Sequence, residues 1–360
     1  MQLKYQSIFQ ALRGVAVLLV IFYHCGIVLT GGFVGVDVFF VLSGFLITAS
    51  VMRDLSSPMT TRRFLLNFFE RRVLRLVPAI CTTTFVTLML SILIFSPYDE
   101  FGEISKSAIA SLLFIANARF FLRNDYVSLT ADPFRHMWSL AVEEQFYICF
   151  PIFIVLIYRI VKPSRRQQSL IWSVIVVIIV SFVSSLLLSG GVRITPLPER
   201  FAFFSPITRG WQIGIGVLLA LLEIKIRQKK IGHGFAVMLS VCGFALILYA
   251  GVTFDPYGVG YPGVPAIVPV LGAVLVIVSG LVATFKNTFP LRFLEHLGDL
   301  SFSLYLIHWP LLVIGQRAFS DVPSVWIASI LLSYTLALMQ YRWVEQVFWS
   351  PRRDSQLSTL

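Results

Sequence analysis

The chain has 360 residues, of which 57% are hydrophobic and 13% charged, with a mean hydropathy of +0.83. A soluble domain carries about twice that charged share, so lipid is the solvent for most of this chain. The net charge of +11 needs no nucleic acid, because the basic residues gather between alternate apolar runs as they do in membrane proteins.

Apolar segments long enough to cross a bilayer are predicted near 11–29, 33–51, 77–97, 138–160, 169–189, 203–224, 233–252, 263–283, 299–317 and 323–345. This makes an all-α membrane protein of about ten transmembrane helices, read as one integral-membrane domain over 1–360. The first run lacks a small-residue cleavage pattern and is expected to remain as a span. The stretch 107–122 is shorter and interrupted by Asn117 and Arg119, and reads as a re-entrant or interfacial helix within a loop. With the N-terminus in the cytoplasm, 21 of the 29 basic residues face inward, which places both termini there.

In chain order, the first polar signal is Arg13 followed eleven residues later by His24, inside the first span. Eleven helical steps come to about 1100°, so the two side chains share one face roughly 16 Å apart. Ionisable groups on a membrane stripe mark a pathway or reaction site. His24 stands seven residues before the Gly31-Gly32 turn and Asp37 five after it, so the two are expected at similar depth in the outer half. Residues 62–76 form a basic amphipathic interfacial helix, with Phe64, Leu65, Phe68, Phe69, Val73 and Leu76 as its apolar residues and Arg63, Arg71, Arg72 and Arg75 as its basic ones. Anionic headgroups are one ligand for its basic side. Arg71 and Arg75, one turn apart, also make a fork suited to phosphates, and Pro78 is expected to start the next span.

Further along, His136 stands just outside the fourth span, with Glu143 seven residues on and facing the same way. Glu144 lies on a different azimuth and is expected to pair with Arg209. His308 precedes Pro310 and is expected to satisfy a carbonyl freed by the proline. Together these groups imply a polar cavity opening outward. Cys25, Cys81, Cys149 and Cys242 are scattered, with no metal spacing and no disulfide framework.

The blocks Arg13-x10-His24, GGFVGVDVFFVLSGFLIT (31–48), RRVLRLVP (71–78), HMWSLAVEEQFY (136–147), RGWQIGIG (209–216), LGDLSFSLYLIHWPL (297–311) and YRWVEQ (341–346) occur in order. They resemble the successive signatures of acyltransferase family 3, bacterial inner-membrane proteins that O-acylate cell-surface carbohydrates. Gln212 stands where that family usually has an acid, and Val347 where a proline usually follows the Glu345 block. No long extension follows the tenth span, which resembles members without a fused SGNH domain; a separate periplasmic SGNH-type protein is then a conceivable partner.

The resemblance implies cytosolic acetyl-CoA as acyl donor, with its phosphates on Arg71, Arg72 and Arg75. The implied acceptor is a hydroxyl of a surface polysaccharide or lipid-linked sugar, such as O-antigen of lipopolysaccharide or an exopolysaccharide. His24 is then expected to act as general base or transient acyl carrier, with Asp37 or Glu143 orienting its ring. Arg13 and His136 join the catalytic set, and Glu144, Arg209, His308 and Glu345 support it. The competing readings are a transporter or flippase for a carbohydrate or lipid intermediate, and a scaffold subunit without chemistry.

Overall fold

The computed structural model describes residues 7–348, apart from 28, 57–58, 97–99, 124–131, 194, 196, 230, 256–259, 286–287, 321 and 323. Of the basic residues expected to face inward, Lys4, Lys230, Lys286, Arg352 and Arg353 lie outside the described residues. The described residues are helical without strands.

The helices run α1 (Ser7–His24), α2 (Gly35–Leu55), α3 (Thr61–Ile94), α4 (Glu100–Leu112), α5 (Ala116–Leu122), α6 (Met137–Ile160) and α7 (Arg166–Ser189). They continue through α8 (Pro198–Phe204), α9 (Pro206–Arg227), α10 (His233–Thr253), α11 (Ile267–Val282), α12 (Phe289–Asp299), α13 (Ser301–Ala318) and α14 (Val325–Gln340). Among the described residues, eight helices are long and apolar enough to cross a membrane, or nine when α12 and α13 count as one broken span. The protein is a multi-pass membrane protein.

Three sequence expectations are refined. The basic stretch 62–76 is not a separate interfacial helix: α3 runs unbroken for 34 residues with Pro78 inside it. Such a helix is about 51 Å long, well beyond the hydrocarbon core, so its basic end continues the span in line. The stretch 107–122 is two short helices, α4 and α5, parted where Phe114 takes a left-handed φ of 56°. The last expected span is α14 running into a π-helical turn, Tyr341–Glu345, and then Gln346–Phe348.

The chain divides into two compact units, Met1–Pro58 with Val142–Asp299, and Met59–Ala141 with Leu300–Leu360. In the first unit the core gathers Leu12, Val38, Phe45, Trp211, Val276 and Ile277. Its helices approach through glycines, as membrane helices lacking a hydrophobic drive must. A Cβ on Gly44 would fall 2.0 Å from the Ile213 carbonyl, and one on Gly216 2.0 Å from that of Val41. Asp37 meets Arg209 and Gln212 while Gly44, two turns on, sits between Ile213 and Val217, so α2 and α9 advance together as parallel neighbours. Gly243 and Gly272 do the same for the antiparallel pair α10 and α11.

In the second unit α3 packs against α4 and α13, and α13 against α14. Its outward surface is apolar, with Phe85, Leu93, Leu331 and Trp343 all exposed.

Candidate functional site

In the first unit, Arg13 and His24 lie on the single helix α1, both half-buried. The stripe inferred from their spacing is therefore physically continuous. Arg13 reaches Gln10 Oε1 at 3.3 Å. His24 is the last residue of α1, with its ring 5.2 Å from that of Tyr23. Tyr23 packs on Phe33 at 5.5 Å, and Phe33 on Tyr261 at 4.7 Å. Tyr261 in turn donates its hydroxyl to Asp37 Oδ2.

Asp37 is fully enclosed, near the start of α2. Its Oδ1 accepts from Arg209 at 2.9 Å and from Gln212 Nε2 at 2.6 Å. Arg209 also donates Nε to the Phe203 carbonyl at 3.1 Å, and its guanidinium lies between the Phe203 and Tyr261 rings at 4.9 and 5.2 Å. Hydrogen bonds from Arg209, Gln212 and Tyr261 offset part of the cost of burying this carboxyl. Two expectations change. Arg209 takes Asp37 as an ion-pair partner, which spacing did not suggest, and Asp37 is engaged away from His24.

Helix register explains the second correction. A Cβ on Gly32 would lie 2.2 Å from the Leu19 carbonyl, and one on Gly35 2.3 Å from that of Ala16. Carried half a turn further, this antiparallel register sets Asp37 beside residues 13 and 14. His24 is then about 15 Å further along α1. Counting residues from the turn misjudged the depth because Gly32 already lies beside Leu19 and Tyr23 before α2 begins.

Glu143, on α6, accepts from Ser43 Oγ at 2.7 Å and from the Tyr147 hydroxyl at 2.9 Å, both on Oε2. The neighbouring Glu144 is buried. Tyr261 and Ser43 escaped sequence reading because neither carries a periodic signal. Only the Pro and Gly that follow Tyr261 mark it as a turn.

The second unit has its own buried polar cluster. The His136 and His308 rings lie 5.7 Å apart, and Tyr305 is 5.5 and 5.6 Å from each. Tyr305 donates its hydroxyl to the His136 carbonyl at 2.9 Å and shares a 2.5 Å hydrogen bond with Ser139 Oγ. His308 Nδ1 meets the Leu304 carbonyl at 3.0 Å. The carbonyl that Pro310 frees is that of Leu306, one turn before it, while this nitrogen of His308 meets Leu304. The His136 ring faces that Leu306 carbonyl and the Pro133 carbonyl, with neither contact reaching full hydrogen-bond geometry.

Asp132, unmarked by the sequence, anchors the segment before α6. It accepts from Ser107 at 2.6 Å, Arg123 at 2.7 Å and the Phe134 amide at 2.9 Å. Burial pushes its carboxyl above the usual range, against the hydrogen bond from Ser107 and the Arg123 charge. Glu345, in the π-helical turn, accepts from Ser303. Arg71, Arg72 and Arg75 are half-buried on α3, with Arg72 6.0 Å from the Phe68 ring.

Comparison with known proteins places this arrangement. Residues 7–341 match the model of an acyltransferase domain family. The chain belongs to that acyltransferase family. It is 32% identical over 357 residues to O-acetyltransferase OatA of Staphylococcus aureus strain NCTC 8325, covering 95% of this chain and 57% of that protein. It is 29% identical over 361 residues to the putative O-acetyltransferase SAS0844 of strain MSSA476, covering 96% of this chain and 58% of that one. The chain thus spans somewhat over half the length of the curated relatives it matches. No solved structure matches it.

Within the acyltransferase fold, the Arg13, 31–48 and 209–216 blocks all lie in the first unit and the 71–78 and 341–346 blocks in the second. Gln212, where the resemblance led to the expectation of an acid, holds Asp37 through an amide donor. That is the neutral way to keep a carboxylate partner in a site that already holds one carboxylate and one guanidinium.

Proposed function

We propose that this protein is an O-acyltransferase that moves an acetyl group from cytosolic acetyl-CoA to a hydroxyl of a surface or lipid-linked carbohydrate. The observation that carries the reading is the Arg13–His24 stripe, an arginine and a histidine half-buried on one face of one membrane helix. His24 serves as general base: its ring nitrogen takes the acceptor hydroxyl's proton while the oxygen attacks the thioester carbon. The C–O ester bond forms, the C–S bond breaks, and the proton passes to the leaving thiolate. Histidine suits this step because its ordinary pKa lies near neutrality. The same ring could instead carry the acetyl group transiently before the hydroxyl receives it.

Arg71, Arg72 and Arg75 hold the donor's phosphates on the cytosolic side. Guanidinium forks bind phosphate bidentately, and the clustering of basic residues between alternate apolar runs supports a cytoplasmic location for this end of α3. The protein then resides in a bacterial inner membrane with both termini cytoplasmic. Family membership and the O-acetyltransferase relatives support the acyl chemistry.

The test is to incubate membranes containing the protein with radiolabelled acetyl-CoA and follow alkali-labile label into the glycan fraction. Transfer supports the reading. Glycan that reaches the outer face with no ester label would identify a flippase instead.

A further inference from the structure

The enclosed face of α3 carries hydroxyls where a membrane helix ordinarily buries hydrocarbon. Thr83, Thr84, Thr87 and Ser91 are buried, while Phe85, Val86, Met89, Ile92 and Leu93 on the other side are exposed. Helix geometry places Arg72, Leu76, Thr83 and Thr87 within about 60° of one another. The hydroxyl face therefore continues in line from Arg72, about 17 Å before Thr83 along the helix, whereas Arg71 and Arg75 project away from that face.

Hydroxyls on a helix can serve packing alone, but two buried atoms on this face have no bonding partner. They are Gln340 Nε2 and Ser91 Oγ. Gln340 comes from the end of α14, and its Oε1 accepts from Thr83 Oγ1 at 3.0 Å. That bond fixes the amide nitrogen against the hydroxyl face of α3. A buried amide donor with nothing to donate to is costly to keep, so a site for an absent acceptor is implied.

The ligand that fits is narrow and extended, anionic at its cytosolic end and carrying spaced carbonyl and N–H groups. We propose that the α3 face from Thr83 to Ser91, with Gln340, binds the pantetheine arm of a coenzyme A thioester. This rests on the donor reading above. Gln340 donates to an arm carbonyl, the hydroxyls take its amide N–H groups, and Arg72 stands in line behind them toward the phosphate end.

The full chain reconstituted in lipid nanodiscs provides the test. Equilibrium binding is measured for acetyl-CoA and for adenosine 3′,5′-bisphosphate, which has the nucleotide end but no arm. Gln340→Leu is expected to weaken acetyl-CoA about tenfold and leave the bisphosphate unchanged. Thr83→Val added to it should cost little more, since the two side chains act as one group. In a background lacking the native cysteines, Thr87→Cys should react with a membrane-permeant maleimide, and acetyl-CoA should slow that reaction. Equal weakening of both ligands, unchanged acetyl-CoA binding, or no protection at Thr87→Cys would each overturn the assignment. A wild-type chain that binds neither ligand would overturn the donor reading itself, and this site with it.

Discussion

Asp37 receives Arg209 and Gln212 on the same carboxylate oxygen, which ties the start of α2 to the start of α9. The offset between Asp37 and Arg209 is 172 residues, and Gly44 and Gly216 stand at the same offset. One register therefore sets both the polar clamp and the glycine contact. The clamp is saturated, which makes it a means of holding helices in place. The ring series through Tyr261, Phe33 and Tyr23 connects that rigid point to His24.

Breaking the clamp from one side should be severe. Arg209→Met leaves Asp37 buried without its counter-charge and is expected to cost about 3–5 kcal/mol. Asp37→Asn combined with Arg209→Met should recover part of that loss, because no lone charge then remains. Thermal unfolding in detergent measures both.

The glycine contact predicts a sharp positional contrast. Gly44→Ala and Gly216→Ala each drive a methyl group into backbone carbonyl and should lower the melting temperature by several degrees. Gly102→Ala, on α4 with nothing within 4 Å, should be neutral or slightly stabilising. Equal effects at all three positions would remove the close approach of α2 and α9 from the account.

Cys25, in the turn after α1, has its thiol pushed up to about 11 by burial. A raised thiol pKa favours the neutral form, so the reactive thiolate is scarce throughout the neutral range. Alkylation of Cys25 is expected to be negligible at pH 7.5 and to climb as pH approaches 11. Cys25→Ser should leave acyl transfer intact. Fast alkylation at neutral pH would instead make the thiol a candidate nucleophile beside His24.

Donor binding gives a kinetic signature. Arg71→Ala and Arg75→Ala are expected to raise KM for acetyl-CoA about tenfold or more while changing kcat little, since they touch only the phosphate end. Raising salt should reproduce part of the effect in the wild type. A fall in kcat at constant KM would place these arginines elsewhere in the reaction.

Much of the fold was legible in sequence, because apolar runs of bilayer length and the bias of basic residues are strong, local signals. Hydrophobic counting could not see that α3 carries its basic end as one helix through Pro78, since proline reads equally as a start or an interior residue. It also could not separate α4 from α5, which part at the single left-handed Phe114. For the site, spacing found the Arg13–His24 stripe because a helix converts sequence distance directly into a shared face. It failed for Asp37, whose partners lie 172, 175 and 224 residues away. Those partners follow from glycine register between non-consecutive helices, which no local pattern encodes.

The central claim is that His24 performs the proton transfer. Membranes carrying equal amounts of wild-type, His24→Ala and His24→Asn protein are incubated with radiolabelled acetyl-CoA, and alkali-labile label in the glycan fraction is counted. The account expects label with the wild type and a loss of at least about a hundredfold in both variants. Label appearing in His24→Ala membranes at the wild-type rate would contradict it.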